Sequence, residues 1–247
     1  MTTPHQANFR RSHSERNDMR LSIIIFDGFT TLDAIGGYEV LSRLPGMETE
    51  FVSVRRGVVA ADTRRLGIAA WRDFAEVAST DILYVPGGPG AVPLEKNKAF
   101  LDKIRALDAT SQWTVGICNG VGLLAAAGLL EGKKATTNWF YQERLKAYGA
   151  EFVAERYRRD GKYVTGAGVS ASIDTGLFMA SLIAGEHIAK TLQLGIEYYP
   201  APPFPERSPQ EAAPEIQDRV RRFESTGGAA QMKLVAPFRD LFAGVPA

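Results

Sequence analysis

The sequence predicts an α/β protein built on a mainly parallel sheet. Short apolar segments alternate with segments whose apolar residues have helical spacing, which is the order expected when helices connect parallel strands. The first apolar segment, residues 21–26, is almost continuously apolar, as in a strand that is covered on both faces. Three strand ends carry glycine-containing turns, at 27–28, 87–88 and 118–120, and such ends face one crevice of a parallel sheet.

The first half of the chain supplies three of the predicted strands and two helices. Predicted strands cover residues 21–26, 51–54 and 81–85, each bounded by turn-forming residues. A helix over 32–44 ends at Pro45-Gly46, and weak alternation over 57–74 indicates a short hairpin. Apolar residues of segment 97–109 have the spacing of a one-sided helix; they are Phe100, Leu101, Ile104 and Leu107.

The second half continues the alternation. The strand that begins at Trp113 breaks at Cys118 into a helical segment. Shorter strands are predicted at 134–137 and 151–155, with a helix at 141–148 between them. Asp160-Gly161 predicts a hairpin turn within 157–165, and helices follow at 172–184, 186–197 and 211–224.

Length and composition fit one globular domain with terminal segments. The chain has 247 residues, of which 45% are hydrophobic and 23% charged. Residues 1–20 are polar and lack the apolar core of a signal peptide, so we expect a disordered arm. We expect the α/β domain to span 21–205. Residues 206–247, beyond a proline-rich segment, are expected to form a helical extension that packs on the same domain.

Charge and residue usage exclude several classes of function. A formal net charge of +1 gives no footprint for nucleic acid or a membrane surface, and no apolar run reaches the ~18 residues that span a bilayer. With three scattered histidines, the sequence predicts no histidine-based metal cluster. A single cysteine rules out an internal disulfide and fits a reducing compartment. We therefore expect a cytoplasmic protein.

Cys118 lies where the strand gives way to the helix. Its segment, Gly116-Ile-Cys118-Asn119-Gly120, resembles the G-x-S-x-G nucleophile elbow with cysteine in place of serine. At such a corner the side chain points toward the positive end of the helix, which favours a thiolate. Cysteine is also among the most buried residue types, so an inert core position is the alternative.

Two other segments also have a structural and a functional interpretation. The turn at Gly87-Gly88 either closes a strand end or brings backbone N–H groups close to a small ligand. Asp33, at the start of the first helix, either caps that helix or exchanges protons beside the cysteine. The remaining histidine, His187, lies in a helical segment, so the sequence argues against a cysteine-histidine-aspartate triad.

Taken together, these segments resemble the DJ-1/PfpI (ThiJ) superfamily over residues 21–204, and most of all its isocyanide hydratase branch. The matching segments are 27–40, 85–90, 116–120, 127–137, 163–174 and 197–204. The resemblance implies a flavodoxin-like three-layer α/β sandwich, a homodimer, a small-molecule substrate and no cofactor or metal. It further implies that a cysteine thiolate attacks the terminal carbon of an isocyanide, and that the resulting thioimidate is hydrolysed to an N-substituted formamide.

By position, the resemblance makes Cys118 the nucleophile and Asp33 the acid/base, with Gly87, Gly88 and the amide of Asn119 as backbone donors near the sulfur. The chain departs from the branch at Asn119, where threonine is expected, and at Asn138, where histidine is expected. Two alternatives stay open: a redox- or ligand-sensing protein without catalytic activity, and a glyoxalase-type enzyme of the same superfamily.

Overall fold

A single mainly parallel sheet organises the molecule. The computed structural model describes residues 18–206 and 208–225, and the strands and helices named below belong to that part of the chain. The main sheet contains β1 (Met19–Ile24), β2 (Met47–Ser53), β5 (Arg72–Asp73), β6 (Ile82–Val85), β7 (Trp113–Ile117), β10 (Tyr157–Asp160) and β11 (Tyr163–Gly166). Two smaller sheets pair β3 (Gly57–Ala60) with β4 (Gly67–Ala70), and β8 (Lys134–Ala135) with β9 (Glu151–Phe152).

The order in which the strands follow one another changes direction near the middle of the main sheet. The order is β10-β11-β7-β6-β1-β2-β5, and every neighbouring pair is parallel except β10 with β11. Five of the parallel strands, β1, β2, β6, β7 and β11, can be numbered 1 to 5 along the chain. In the sheet they lie in the flavodoxin-like order 2-1-3-4-5. In such sheets the ligand crevice lies where the order reverses, which here is between the carboxyl ends of β1 and β6.

Eight helices connect and cover these strands in the described part of the chain. They are α1 (Thr31–Leu41), α2 (Ala91–Leu94), α3 (Lys98–Thr110), α4 (Gly120–Ala126), α5 (Gln142–Ala147), α6 (Ala171–Ala184), α7 (Glu186–Gly195) and α8 (Pro214–Ser225). One group packs α1 on α6 and α6 on α7, and a second group packs α3 and α5 against α4. The two groups cover opposite faces of the sheet, which confirms the predicted α/β architecture.

The core explains why β1 and β6 lie at the centre. Their side chains are buried on both faces, as the near-continuous apolar segments predict. Tyr84 of β6 is fully buried, and its hydroxyl donates a 2.7 Å hydrogen bond to the backbone carbonyl of Asp33. Gly37 of α1 makes this possible, because a Cβ at that position would collide with the Tyr84 ring. The sheet and α1 are thus joined directly behind Asp33.

The structure adjusts several predicted boundaries. β1 begins at Met19, inside the segment 1–20 expected to be a disordered arm, and residues 1–17 lie outside the described part of the chain. The hairpins predicted over 57–74 and 157–165 are both present. Of the predicted extension 206–247, residues 226–247 also lie outside the described part. Within the described residues, no helix is long and apolar enough to cross a membrane.

Candidate active site

Cys118 lies on the sharp corner between β7 and α4. Its φ angle is +55°, in the left-handed region that residues other than glycine rarely occupy, so the corner holds a strained backbone. The Cys118 N–H donates to the carbonyl of Gly166 at 3.0 Å, which fixes the corner against β11. Gly120 lets the chain turn, because a Cβ there would lie 2.5 Å from the carbonyl oxygen of Val85. The elbow predicted from the sequence is present.

Asp33 is brought to this corner from the other side of the strand-order reversal. It lies in the first turn of α1 and is fully buried. Its Oδ2 accepts a 2.9 Å hydrogen bond from the backbone N–H of Gly87, which follows β6. The capping interpretation is therefore wrong: the residue that precedes α1 is Thr30, and the Asp33 carboxyl bonds across to another segment.

The chemistry of Asp33 follows from its surroundings. The pKa of this carboxyl is raised from 3.8 to about 7, mainly by burial and in smaller part by the negative charge of Asp62. Hydrogen bonding from the Gly87 N–H and from the Cys118 thiol partly opposes this rise in pKa. Among the described residues, Oδ1 has no hydrogen-bond partner, and the Cys118 thiol is the side chain that interacts with this carboxyl. A carboxyl with this pKa can both donate and accept a proton at neutral pH.

The Gly87-Gly88 turn holds two side chains of the site. Gly87 donates to Asp33, and Gly88 is bonded twice to the side chain of Asn119. The Gly88 N–H donates to Asn119 Oδ1 at 2.6 Å, and its carbonyl accepts from Asn119 Nδ2 at 2.9 Å. A Cβ on Gly87 would lie 2.9 Å from both the Asn119 nitrogen and Asp33 Oδ2. The N–H groups of both glycines, predicted to lie near the sulfur, thus donate to the side chains of Asp33 and Asn119, and the Asn119 backbone nitrogen lies beside Gly87.

A third segment, between β8 and α5, also reaches the cysteine. Thr137 Oγ1 donates to the Cys118 carbonyl at 2.6 Å, and Asn138 Nδ2 donates to Cys118 Sγ at 3.3 Å. Neither residue was among the predicted site residues. The departure from the family motif at Asn138 was the one sequence signal that pointed to this segment. His187, in contrast, is exposed on α7 and takes no part in the site.

One protein-family model matches most of the chain, including the site described above. The model of the DJ-1/PfpI family matches residues 19–183, a span that includes the elbow, Asp33 and the third segment. The chain belongs to the DJ-1/PfpI family.

Individual proteins similar to this DJ-1/PfpI chain include an isonitrile hydratase, a THiJ/PfpI protein of known structure and a plant DJ-1 homolog. It is 36% identical over 204 residues to the isonitrile hydratase of Pseudomonas putida, which covers 83% of this chain and 89% of that protein. A THiJ/PfpI family protein from Pseudomonas syringae superimposes with a TM-score of 0.81 at 28% identity, over 88% of this chain and 90% of that one. Protein DJ-1 homolog A of Arabidopsis thaliana is 30% identical over 152 residues, 55% of this chain and 39% of that protein.

The DJ-1/PfpI chain also buries a second carboxyl near α4, that of Glu95. Its side chain is fully buried, and its Oε2 accepts from Tyr148 at 2.9 Å and pairs with Arg144 Nε at 2.7 Å. Its other oxygen approaches Gly122, where a Cβ would lie 2.9 Å from it. Burial raises the pKa of Glu95, while Tyr148 and Arg144 act in the opposite direction. Glu95 therefore joins the end of α2 to α4 and α5.

A cavity of about 850 Å³ lies near the turns after β1 and β6. Its lining includes Phe26, Val92, Leu94 and Arg56. Asp62 lines the cavity and also raises the pKa of Asp33, so the two regions are electrostatically connected. Cys118 and Asp33 do not line the cavity.

The arrangement supports nucleophilic chemistry assisted by one carboxyl. It brings together a thiol on an elbow, a proton donor and acceptor, and an amide donor aimed at the sulfur. Within the described residues, no group of three histidine, cysteine or acidic side chains is arranged to hold a metal ion.

Proposed function

We propose that the protein hydrates isonitriles (isocyanides) to N-substituted formamides. The observation that carries this proposal is the fully buried Asp33 carboxyl, with a pKa of about 7, beside the elbow cysteine Cys118. An isonitrile carbon accepts a soft nucleophile and then needs one proton, so a thiolate and one acid are sufficient. The 36% identity to an isonitrile hydratase over 83% of the chain supports the same assignment.

In the first half of the reaction, the Cys118 thiolate attacks the terminal carbon of the isonitrile and forms a C–S bond. The carbon takes the proton of the Asp33 carboxyl, which leaves a thioimidate on the cysteine and a carboxylate at Asp33. Since Asp33 is about half protonated near neutral pH, the proton donor is available there.

In the second half, water adds across the C=N bond of the thioimidate. The carboxylate of Asp33 takes a proton from the attacking water and passes it to the nitrogen, so that the carbon carries hydroxyl and the nitrogen carries hydrogen. The tetrahedral intermediate then collapses: the C–S bond breaks, the hydroxyl proton goes to Asp33, and the formamide leaves. The cycle consumes one isonitrile and one water and restores both residues.

The direct test is turnover by the purified protein. Alkyl and aryl isonitriles are incubated with the enzyme, formamide is followed by NMR, and mass spectrometry confirms that Cys118 is reduced. We expect formamide from the parent protein and none above background from Cys118→Ala, since the nucleophile is lost. The proposal fails if the reduced parent protein yields no formamide from any isonitrile of the series.

We expect the same function to involve a small-molecule substrate and a homodimer. The substrate is a small molecule, and two copies of the chain associate. Light scattering coupled to size-exclusion chromatography measures the second point, and a monomer at working concentration would contradict it.

A further inference from the structure

The two polar atoms of the Asn138 side chain, Nδ2 and Oδ1, have very different surroundings. Its Nδ2 donates to the Cys118 sulfur at 3.3 Å, whereas its Oδ1 is buried and has no hydrogen-bond partner among the described residues. The residue as a whole is 8% exposed. Buried amides in folded proteins normally bond at both ends, so an oxygen left in this state points to a donor that arrives with the ligand.

We infer that Asn138 is a catalytic residue of the proposed hydration: its Nδ2–H stabilises the Cys118 thiolate, and its Oδ1 accepts the N–H that forms on the substrate nitrogen. The inference rests on the proposed function for its second half only. The first half concerns the sulfur itself and holds for any chemistry of this cysteine.

The contact with sulfur favours the charged form of Cys118. A hydrogen bond becomes stronger when its acceptor is ionised, so an N–H aimed at the sulfur stabilises thiolate more than thiol. A carboxamide does not titrate, and its donor is therefore present at every pH. An imidazole, which the family motif places at this position, would change its own charge in the working range.

The surrounding backbone holds the amide in place. Thr137 Oγ1 bonds to the Cys118 carbonyl at 2.6 Å, and the Tyr141 N–H bonds to the Asn138 carbonyl at 2.8 Å. Gly168 leaves room for the side chain, because a Cβ there would lie 3.1 Å from Asn138 Nδ2. Main-chain and Thr137 contacts thus fix the segment, and the orphaned Oδ1 adds nothing to its stability.

The reaction supplies the missing donor at a defined stage. An isonitrile has no N–H or O–H, and the thioimidate nitrogen gains hydrogen only when water adds across C=N. That nitrogen is bonded to the carbon attached to sulfur, so it forms next to a side chain already in contact with sulfur. The oxygen therefore gains its hydrogen bond in the hydrolytic step and in the formamide product, and not in the substrate complex. Such a difference between states accelerates the step in which the bond forms.

The first test measures the thiolate without any isonitrile. Iodoacetamide alkylation of Cys118 is followed across pH in the parent, in Asn138→Ala, and in Asn138→Asp, which keeps the shape and an oxygen but loses the N–H donor. At mildly acidic pH we expect alkylation about tenfold slower in Asn138→Ala, and slower still in Asn138→Asp because of its negative charge. The profiles converge at alkaline pH, where the thiolate is complete. Gln142→Ala, an amide truncation on α5, is the control and alkylates like the parent.

The second test isolates the oxygen. Inhibition of isonitrile hydration by a secondary N-alkylformamide, which has an N–H, is compared with inhibition by its N-methylated tertiary analogue, which has none. The parent prefers the secondary formamide by about tenfold, and Asn138→Ala loses that preference without weaker binding of the tertiary one. Thermal unfolding and circular dichroism check that each variant is folded.

The outcomes separate the two proposals. Alkylation profiles of Asn138→Ala and Asn138→Asp that match the parent overturn the role at sulfur, whether or not isonitriles are turned over. Equal formamide preference in parent and Asn138→Ala overturns the role of Oδ1. If the parent yields no formamide but the alkylation difference is found, the hydration proposal and the role of Asn138 Oδ1 toward the substrate N–H are overturned. The stabilisation of the Cys118 thiolate by Asn138 Nδ2–H then stands.

Discussion

Two buried carboxyls lie near the elbow, and they have opposite surroundings. Asp33 receives one backbone N–H and faces the Cys118 thiol, and its charged neighbour is the negative Asp62. Glu95 receives the Tyr148 hydroxyl and the Arg144 guanidinium. Burial raises the pKa of both groups, and hydrogen bonds oppose that rise at both, but a positive charge opposes it only at Glu95.

The difference teaches that burial alone does not make a carboxyl chemically useful. Paired with the Arg144 guanidinium and the Tyr148 hydroxyl, Glu95 joins the end of α2 to α5. Without a cation, Asp33 keeps a proton of intermediate affinity next to the Cys118 thiol. Desolvation acts on both carboxyls, and the sign of the nearest charge separates their environments.

The largest expected effect is on turnover. Asp33→Asn keeps an oxygen for the Gly87 N–H but cannot transfer protons, so we expect kcat for isonitrile hydration to fall about 10²–10⁴-fold. Glu95→Gln, the matched substitution in the other region, changes kcat less than about tenfold, because Glu95 acts on packing and not on the reacting atoms. Steady-state kinetics of both variants measure the contrast. Similar losses in the two variants would break the distinction.

The next effect concerns stability and its pH dependence. The folded Asp33 binds its proton more tightly than the unfolded chain, with a pKa of about 7 against 3.8, so the stability of the parent falls as pH rises between these values. Asp33→Asn removes this penalty and is expected to be about 2–4 kcal/mol more stable than the parent at about pH 8, with the gain vanishing near about pH 4.

Glu95→Gln is expected to change stability in the same direction as Asp33→Asn but by less. Burial raises the pKa of Glu95, so the parent also loses stability as pH rises through the range in which this carboxyl ionises, but Tyr148 and Arg144 oppose that rise in pKa. Urea unfolding at several pH values measures both variants. A gain in Glu95→Gln as large as that in Asp33→Asn, or an Asp33→Asn whose gain does not depend on pH, would contradict the assigned environments.

The smallest effect sharpens the electrostatic part of the comparison. If Asp33 donates the proton to carbon, kcat/KM falls as pH rises through about 7, because the protonated donor is lost. Asp62→Asn removes the negative neighbour that raises the Asp33 pKa, so this limb of the profile moves to lower pH. Asp102→Asn, an exposed aspartate on α3, is the control and leaves the limb unchanged. A limb that stays in place in Asp62→Asn argues against Asp33 as the titrating group.

The sequence was sufficient for the sheet, the elbow and the pairing of Asp33 with Cys118. Continuous apolar strands and glycine turns carry that information locally, and the alternation with helices indicates parallel strands. The family resemblance then selected the proton-transfer interpretation of Asp33 over the capping interpretation.

Tertiary contacts of single side chains were beyond sequence reasoning. Glu95 and Tyr84 look ordinary in their own segments, and Asn138 differs only as a departure from the family motif. Each gains its contacts from a partner in a distant segment. The bonds from Asn119 to Gly88 likewise depend on how two strand ends meet, and no local pattern encodes them.

The spread of the site along the chain has a consequence for how its reactivity arises. Gly87 and Asp33 are 54 positions apart, and Asn138 is 20 positions beyond Cys118. Parallel pairing between such distant segments forms slowly and late in folding. A nascent or unfolded chain therefore lacks the contacts that Asp33 and Asn138 make with Cys118, and these contacts form only when β1, β6 and β7 have assembled. The pH dependence of Cys118 alkylation thus reports whether these distant segments have come together.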